Sequence, residues 1–269
     1  MQLKQSIPVN SIKNARELGG YITSDGKTVK NGVLLRSASL NGASGEDIRL
    51  LRDKYRLQHI IDFRMEMELK NSADPMIDGA QYHHLNVIDM AQMIPDGAPE
   101  VDISALDPAQ IAEITIESGM LNENMYIGFL NCDTGKKAFS EFLRILLYSD
   151  PDRAVLWHCT SGKDRTGLAA MLLLSALGAD EELIVRDFLL TNVYYADRIE
   201  GTKQFLKTKG CDDAFTEQAL LVFDAVDERF MRNAIGFLKK EYGSVVGYIR
   251  GGLKLSQDEI DSLKEKYLI

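Results

Sequence analysis

The segment His158-Cys159-Thr160-Ser161-Gly162-Lys163-Asp164-Arg165-Thr166-Gly167 lies between a short apolar run, Ala154 to Trp157, and an almost wholly apolar one, Leu168 to Leu177. A short buried run reads as a strand and a long one as a helix, so the chain must pass from strand to helix through a tight, glycine-bearing loop. Similar runs near Val33 to Arg36, His59 to Phe63 and Tyr82 to Asn86 read as further strands, separated by helical stretches. That alternation predicts an α/β fold with a mostly parallel central sheet flanked by helices.

A loop that ends a strand and starts a helix points its free backbone N–H groups at one spot, with the positive end of the helix dipole behind them. An anion is the natural guest. Arg165 can grip two oxygens of that anion with its planar fork, in a geometry a lysine does not reproduce. Cys159, six positions earlier, sits where the same helix end and cation favour a thiolate. The pattern points to attack by sulfur on the phosphorus of a phosphate ester, then release of phosphate by water, with neither metal nor nucleotide as cofactor. Thr160, Ser161, Gly162 and Lys163 would line the anion, and Thr166 would donate to the departing thiolate. His158 is expected to hold the loop through its ring nitrogens rather than act as a base.

These residues resemble the signature loop of cysteine-dependent protein tyrosine and dual-specificity phosphatases. Lys163 and Asp164 match the bacterial branch, whose members act on phosphotyrosine, in some cases phosphoserine or phosphothreonine, and phosphoinositides. Asn14-Ala15-Arg16-Glu17-Leu18-Gly19-Gly20, Leu35-Arg36-Ser37, Ile61-Asp62-Phe63-Arg64 and Tyr242 to Tyr248 resemble that branch too. The resemblance implies a tyrosine-phosphatase-like fold, with helical additions near the site, and phosphoprotein or phosphoinositide substrates. It also implies that Asp164, which matches an aspartate given that role in the family, is the general acid. Asp62, at the end of a predicted strand, is the second candidate acid, against a plain ion pair with Arg64 or Arg36. The Trp-Pro-Asp acid loop of many tyrosine phosphatases is absent, since Trp157 is the only tryptophan, and Pro95-Asp96 is a poor substitute. Lys163 is read either as a contact for additional phosphates or as a solvated lysine.

Other chemistries fit less well. A nucleotide loop would need Ser or Thr after Lys163 and glycine at position 157, where Asp164 and Trp157 stand. A zinc site would need clustered ligands, whereas His59, His83, His84 and His158 are scattered and no cysteines are paired. Cys132 and Cys211 lack an arginine six residues on and read as structural, which also leaves no evident resolving thiol for a rhodanese-like or arsenate-reducing reaction. A phosphate-recognising module without turnover is the alternative function. The net charge of −9 argues against nucleic acid as a partner, and the longest apolar stretch is too short for a membrane span. Three cysteines and a start without an apolar signal core fit a reducing, cytoplasmic setting, export by another route aside. Oligomeric state is not readable.

Residues 1–269 are expected to form a single domain. A variable segment over about 90–135 contains the polar stretch Asp89 to Asp107, a candidate lid, and a helical layer spans about 180–242. Helices are predicted from Ser44 to about Arg56, from Asp107-Pro108, after Gly135 and from Ser256.

Overall fold

The computed structural model describes residues 5–70, 72–89 and 106–269. Five strands, β1 (Arg16–Glu17), β2 (Leu34–Ser37), β3 (His59–Asp62), β4 (Gln81–His84) and β5 (Val155–His158), form one sheet in the order β1-β2-β5-β3-β4. The sheet is parallel apart from β1, a two-residue antiparallel edge on β2. β5, late in the sequence, is inserted between β2 and β3, and its register sets His158 level with Ser37 on one side and Asp62 on the other. The carboxyl ends of three strands therefore end side by side, the place where open α/β sheets bind ligands.

Among the described residues twelve α-helices follow the strands: α1 (Gly45–Arg49), α2 (Glu66–Leu69), α3 (Pro108–Glu117), α4 (Met125–Asn131), α5 (Asp133–Tyr148), α6 (Asp164–Leu177), α7 (Glu181–Tyr194), α8 (Ala196–Thr208), α9 (Asp213–Phe223), α10 (Glu228–Tyr242), α11 (Val245–Gly251) and α12 (Gln257–Tyr267). Their starts follow the capping residues. The Ser44 hydroxyl accepts the Asp47 N–H, and Asp107 and Ser256 form capping boxes with Gln110 and Glu259. The helix begun at Ser44 widens into a π-helical turn over Leu50–Lys54 and stops there, just short of the predicted Arg56, which has a positive φ of 49°.

The sheet sorts its side chains by the two-residue period of a strand. Leu34, Ile61, Val155 and Trp157 face the larger core, against α5, α6 and α7. Leu35, Ile60 and Leu156 face a smaller one with Leu51 and Tyr55. On α5 the helical spacing buries Phe139, Phe142, Leu143 and Leu146, with Phe142 edge-on to Trp157 at 5.3 Å; α6 is buried almost throughout. The helical stretch expected over 180–242 resolves into α7 to α10. Two of these, α8 and α9, join α3 in a separate cluster around Ala112, Leu206 and Ala219. Of the variable segment, residues 90–105, with Pro95-Asp96 and most of the candidate lid, lie outside the described residues; the remainder carries α3 and α4.

Candidate active site

The buried strand β5 delivers Cys159, only 2% exposed, to the end of the sheet, and the Trp157 indole N–H donates to the Thr166 carbonyl at 3.2 Å, tying strand to helix across the loop. The turn between them is made at Gly162, whose φ is +64° and where a Cβ would stand 2.2 Å from the Ser37 carbonyl oxygen. Only glycine fits there. The loop is then held from behind. Asn14 Nδ2 donates to the carbonyls of Ser161 (3.1 Å) and Gly162 (3.0 Å), Arg36 donates to Gly162 O at 3.0 Å, and the Tyr195 hydroxyl donates to Ser161 O at 2.8 Å. With the carbonyls drawn outward, the N–H groups of Thr160, Ser161, Gly162 and Lys163 have no acceptor among the described residues. Together with the start of α6 they form a donor cradle suited to an anion.

The brace is itself anchored by Asp187 of α7. Its carboxylate takes Arg16 Nε at 3.1 Å, Arg36 at 2.5 Å and the Tyr21 hydroxyl at 3.0 Å. Burial alone would raise this carboxyl, yet the charges of Arg16 and Arg36 hold it below its ordinary value. Burial lowers Arg36 to about 10, so it remains a cation. Two guanidinium groups share one carboxylate, and the surplus positive charge lies against the back of the loop.

Arg165 is gripped end-on by Glu68 of α2. Its two terminal nitrogens reach the Glu68 carboxylate oxygens at 2.6 and 2.9 Å, and one also donates to Phe63 O at 3.2 Å. The Thr160 hydroxyl donates to the same carboxylate. Burial would raise Glu68, but its hydrogen bonds with Arg165 and that cation's charge bring it down to about 2. Among the described residues Arg165 Nε–H and one Nη2–H stay unengaged, and these two parallel donors are the side-on fork that fits two phosphate oxygens.

Asp62 stands at the end of β3 beside the site, fully buried. It accepts Arg64 through both oxygens and the Tyr82 hydroxyl at 2.7 Å. Burial works to raise it, and charge on His158 together with the Arg64 bonds brings it to about 2. His158 Nδ1 lies 3.2 Å from Cys159 O, and its Nε2 lies 2.9 Å from Asp74. Asp62, Asp74 and His158 make the one grouping with metal-ligand spacing among the described residues. Both carboxylates there already bind Arg64, and Asp74 also accepts the Leu40 N–H, so a guanidinium fills the cation's place.

The next two loop residues take separate courses. Lys163 is buried, and its ammonium donates to the carbonyls of Leu221 (2.6 Å), Val222 (3.2 Å) and Ala225 (3.2 Å) at the end of α9. The lysine is therefore not a solvated one: in this structure its ammonium serves carbonyls that a helix end leaves unpaired. Asp164 opens α6 and receives the Tyr126 hydroxyl on Oδ1 at 2.5 Å. The Thr166 hydroxyl is buried with no hydrogen-bond partner among the described residues. Glu68 and Tyr126 were invisible to loop-based reasoning. The only available signal for Glu68 is that it follows the Asp62-Phe63-Arg64 segment within one short helix.

A family model described as the tyrosine phosphatase family matches residues 7–269. A Cupriavidus necator protein, whose name assigns it provisionally as a tyrosine-protein phosphatase, is 28% identical over 273 residues, covering 100% of this chain and 90% of its own. The triple specificity protein phosphatase PtpB of Mycobacterium tuberculosis is 32% identical over 114 residues, 40% of this chain and 41% of that protein. A tyrosine-protein phosphatase of Nostoc commune is 32% identical over 117 residues, 42% and 38% of the two chains.

Proposed function

The chain belongs to the tyrosine phosphatase family, and from that premise we propose that it hydrolyses phosphate monoesters of protein side chains, phosphotyrosine first, through a phosphocysteine. The thiolate of Cys159 attacks phosphorus, and the bond to the leaving oxygen breaks as Asp164 passes its proton to that oxygen. Arg165 holds two equatorial oxygens with its side-on fork, and the loop N–H groups take the charge that builds on them. Water then attacks the phosphocysteine, ionised Asp164 accepts its proton, and the Cys159 thiolate leaves with a hydrogen bond from Thr166. Asp62, spent on Arg64 and Tyr82, is left to brace the sheet end. One observation carries the reading: a loop whose Ser161 and Gly162 carbonyls are pulled outward keeps its N–H groups and the Arg165 fork for a ligand beside a buried thiol.

Besides the resemblance, the sequence's reason for phosphoinositides was a second cation in the loop, and the Lys163 ammonium lies against the end of α9. The relative named a triple specificity protein phosphatase supports a range wider than one class of ester. The test is phosphate release from phosphotyrosine, phosphoserine and phosphothreonine peptides and from phosphoinositide vesicles, with Cys159→Ser as the blank and acid-quenched protein analysed for phosphate on Cys159. Turnover of phosphotyrosine peptide with trapped phosphocysteine is expected. Binding without release would turn the reading toward a recognition module, and undiminished activity in Cys159→Ser would end it.

A further inference from the structure

Tyr126, buried on α4, sits where aromatic rings fix it from three sides. Phe129 stacks on it at 6.3 Å, Phe188 of α7 meets it edge-on at 6.0 Å, and Phe230 of α10 tilts against it at 5.7 Å. Among the described residues its hydroxyl has one partner in this apolar setting, Asp164 Oδ1 at 2.5 Å. Burial, then the Asp164 charge, raises the phenol well above its ordinary value, so it keeps its proton and is the donor. Asp164 opens into a cleft of only about 10 Å³ lined by Leu121, Met125, Leu221, Val226 and Phe230, room for roughly one water. The nearest cation to its second oxygen, Lys163 Nζ at 3.8 Å, is directed at the α9 carbonyls. With Oδ1 held and Oδ2 without a hydrogen bond among the described residues, only one oxygen of Asp164 is left to carry a transferable proton.

We propose that Tyr126 is a positioning residue for proton transfer, holding one oxygen of Asp164 so that the other is presented to the leaving group. The inference rests on Asp164 being the acid. A carboxyl on a short side chain at a helix start has rotamers that turn it toward solvent, and the Tyr126 bond removes them. Phosphoserine leaves as a poor alkoxide and depends on that proton, whereas p-nitrophenolate leaves with little help.

The experiment measures kcat and KM on a phosphoserine peptide and on p-nitrophenyl phosphate for the parent, Tyr126→Phe, Asp164→Asn and the double variant. Tyr126→Phe is expected to lose about tenfold in kcat on the peptide, to lose little on the aryl ester, to keep KM, and to add no loss to Asp164→Asn. Equal losses on both esters, or a Tyr126→Phe loss that persists in the Asp164→Asn background, would overturn the role. If Asp164→Asn itself lost equally on the two esters, the acid assignment would fall, and the Tyr126 role with it. Phenylalanine keeps the three ring contacts, so melting near the parent is expected. Should it unfold, p-aminophenylalanine at 126 supplies a ring with an N–H donor: retained peptide turnover supports the role, and a leaving-group-independent loss rejects it.

Discussion

Arg165 has five N–H donors, and their division decides what the site can bind. Three go to Glu68 and Phe63, and the two on the side edge remain for an anion. Glu68 thus does not compete with phosphate; it stops the guanidinium from rotating and sets its plane. Glu68→Gln keeps the shape and removes the charge, so kcat/KM on p-nitrophenyl phosphate is expected to fall on the order of 10–100-fold. Parent-like kinetics would show that Arg165 needs no such brace. Cys159 and Arg165 were legible because both lie in one strand-loop-helix segment whose spacing states its geometry. The partners of the loop were not, because Glu68 lies 97 residues from Arg165 in the chain and no local spacing joins them. The contacts of Lys163 were hidden for a related reason, since they lie at a helix end near residue 221.

At the scale of elements, the strands and caps that rest on local chemistry were readable, while β1, with two residues, offers no period to detect. The α3, α8 and α9 cluster was read only as a helical layer, because its separate core is a matter of tertiary contact. Lys163 joins that cluster to the loop after β5 by three hydrogen bonds to the end of α9. Lys163→Met, which keeps most of the buried stem, is therefore expected to loosen α9. Hydrogen exchange should quicken across residues 213–225 by about tenfold or more, the loss of one to two kilocalories of local stability, while exchange in α5 stays unchanged. Unaltered exchange over 213–225 would mean that the apolar cluster alone holds α9.

For the whole molecule, three of the depressed groups act with one sign. Burial and then the neighbouring His83 lower His59 to about 4, and Asp62 and Glu68 each stand at about 2. In each case the unfolded chain binds protons that the folded one refuses, so stability rises with pH. The contribution is complete above the unfolded values, roughly 6.5 for the imidazole and 4 for the carboxyls. It is lost as pH falls through them toward the folded values. Melting temperature should therefore be level at neutral pH, sag between about 6.5 and 4, and drop between about 4.5 and 2. His59→Gln should flatten the first part and leave the second; a curve that keeps its sag in this variant would assign the loss elsewhere.

The brace behind Gly162 has a consequence for synthesis. A chain on the ribosome that has just exposed Cys159 and Arg165 still lacks Asp187, which anchors Arg16 and Arg36, the hydroxyl of Tyr195, and the helix end that takes Lys163. Its nucleophile is present, yet the carbonyls of Ser161 and Gly162 lack part of what turns them away. The supports of the loop are complete only after residue 225 has emerged, so the nascent polypeptide is expected to stay silent until the chain is nearly whole.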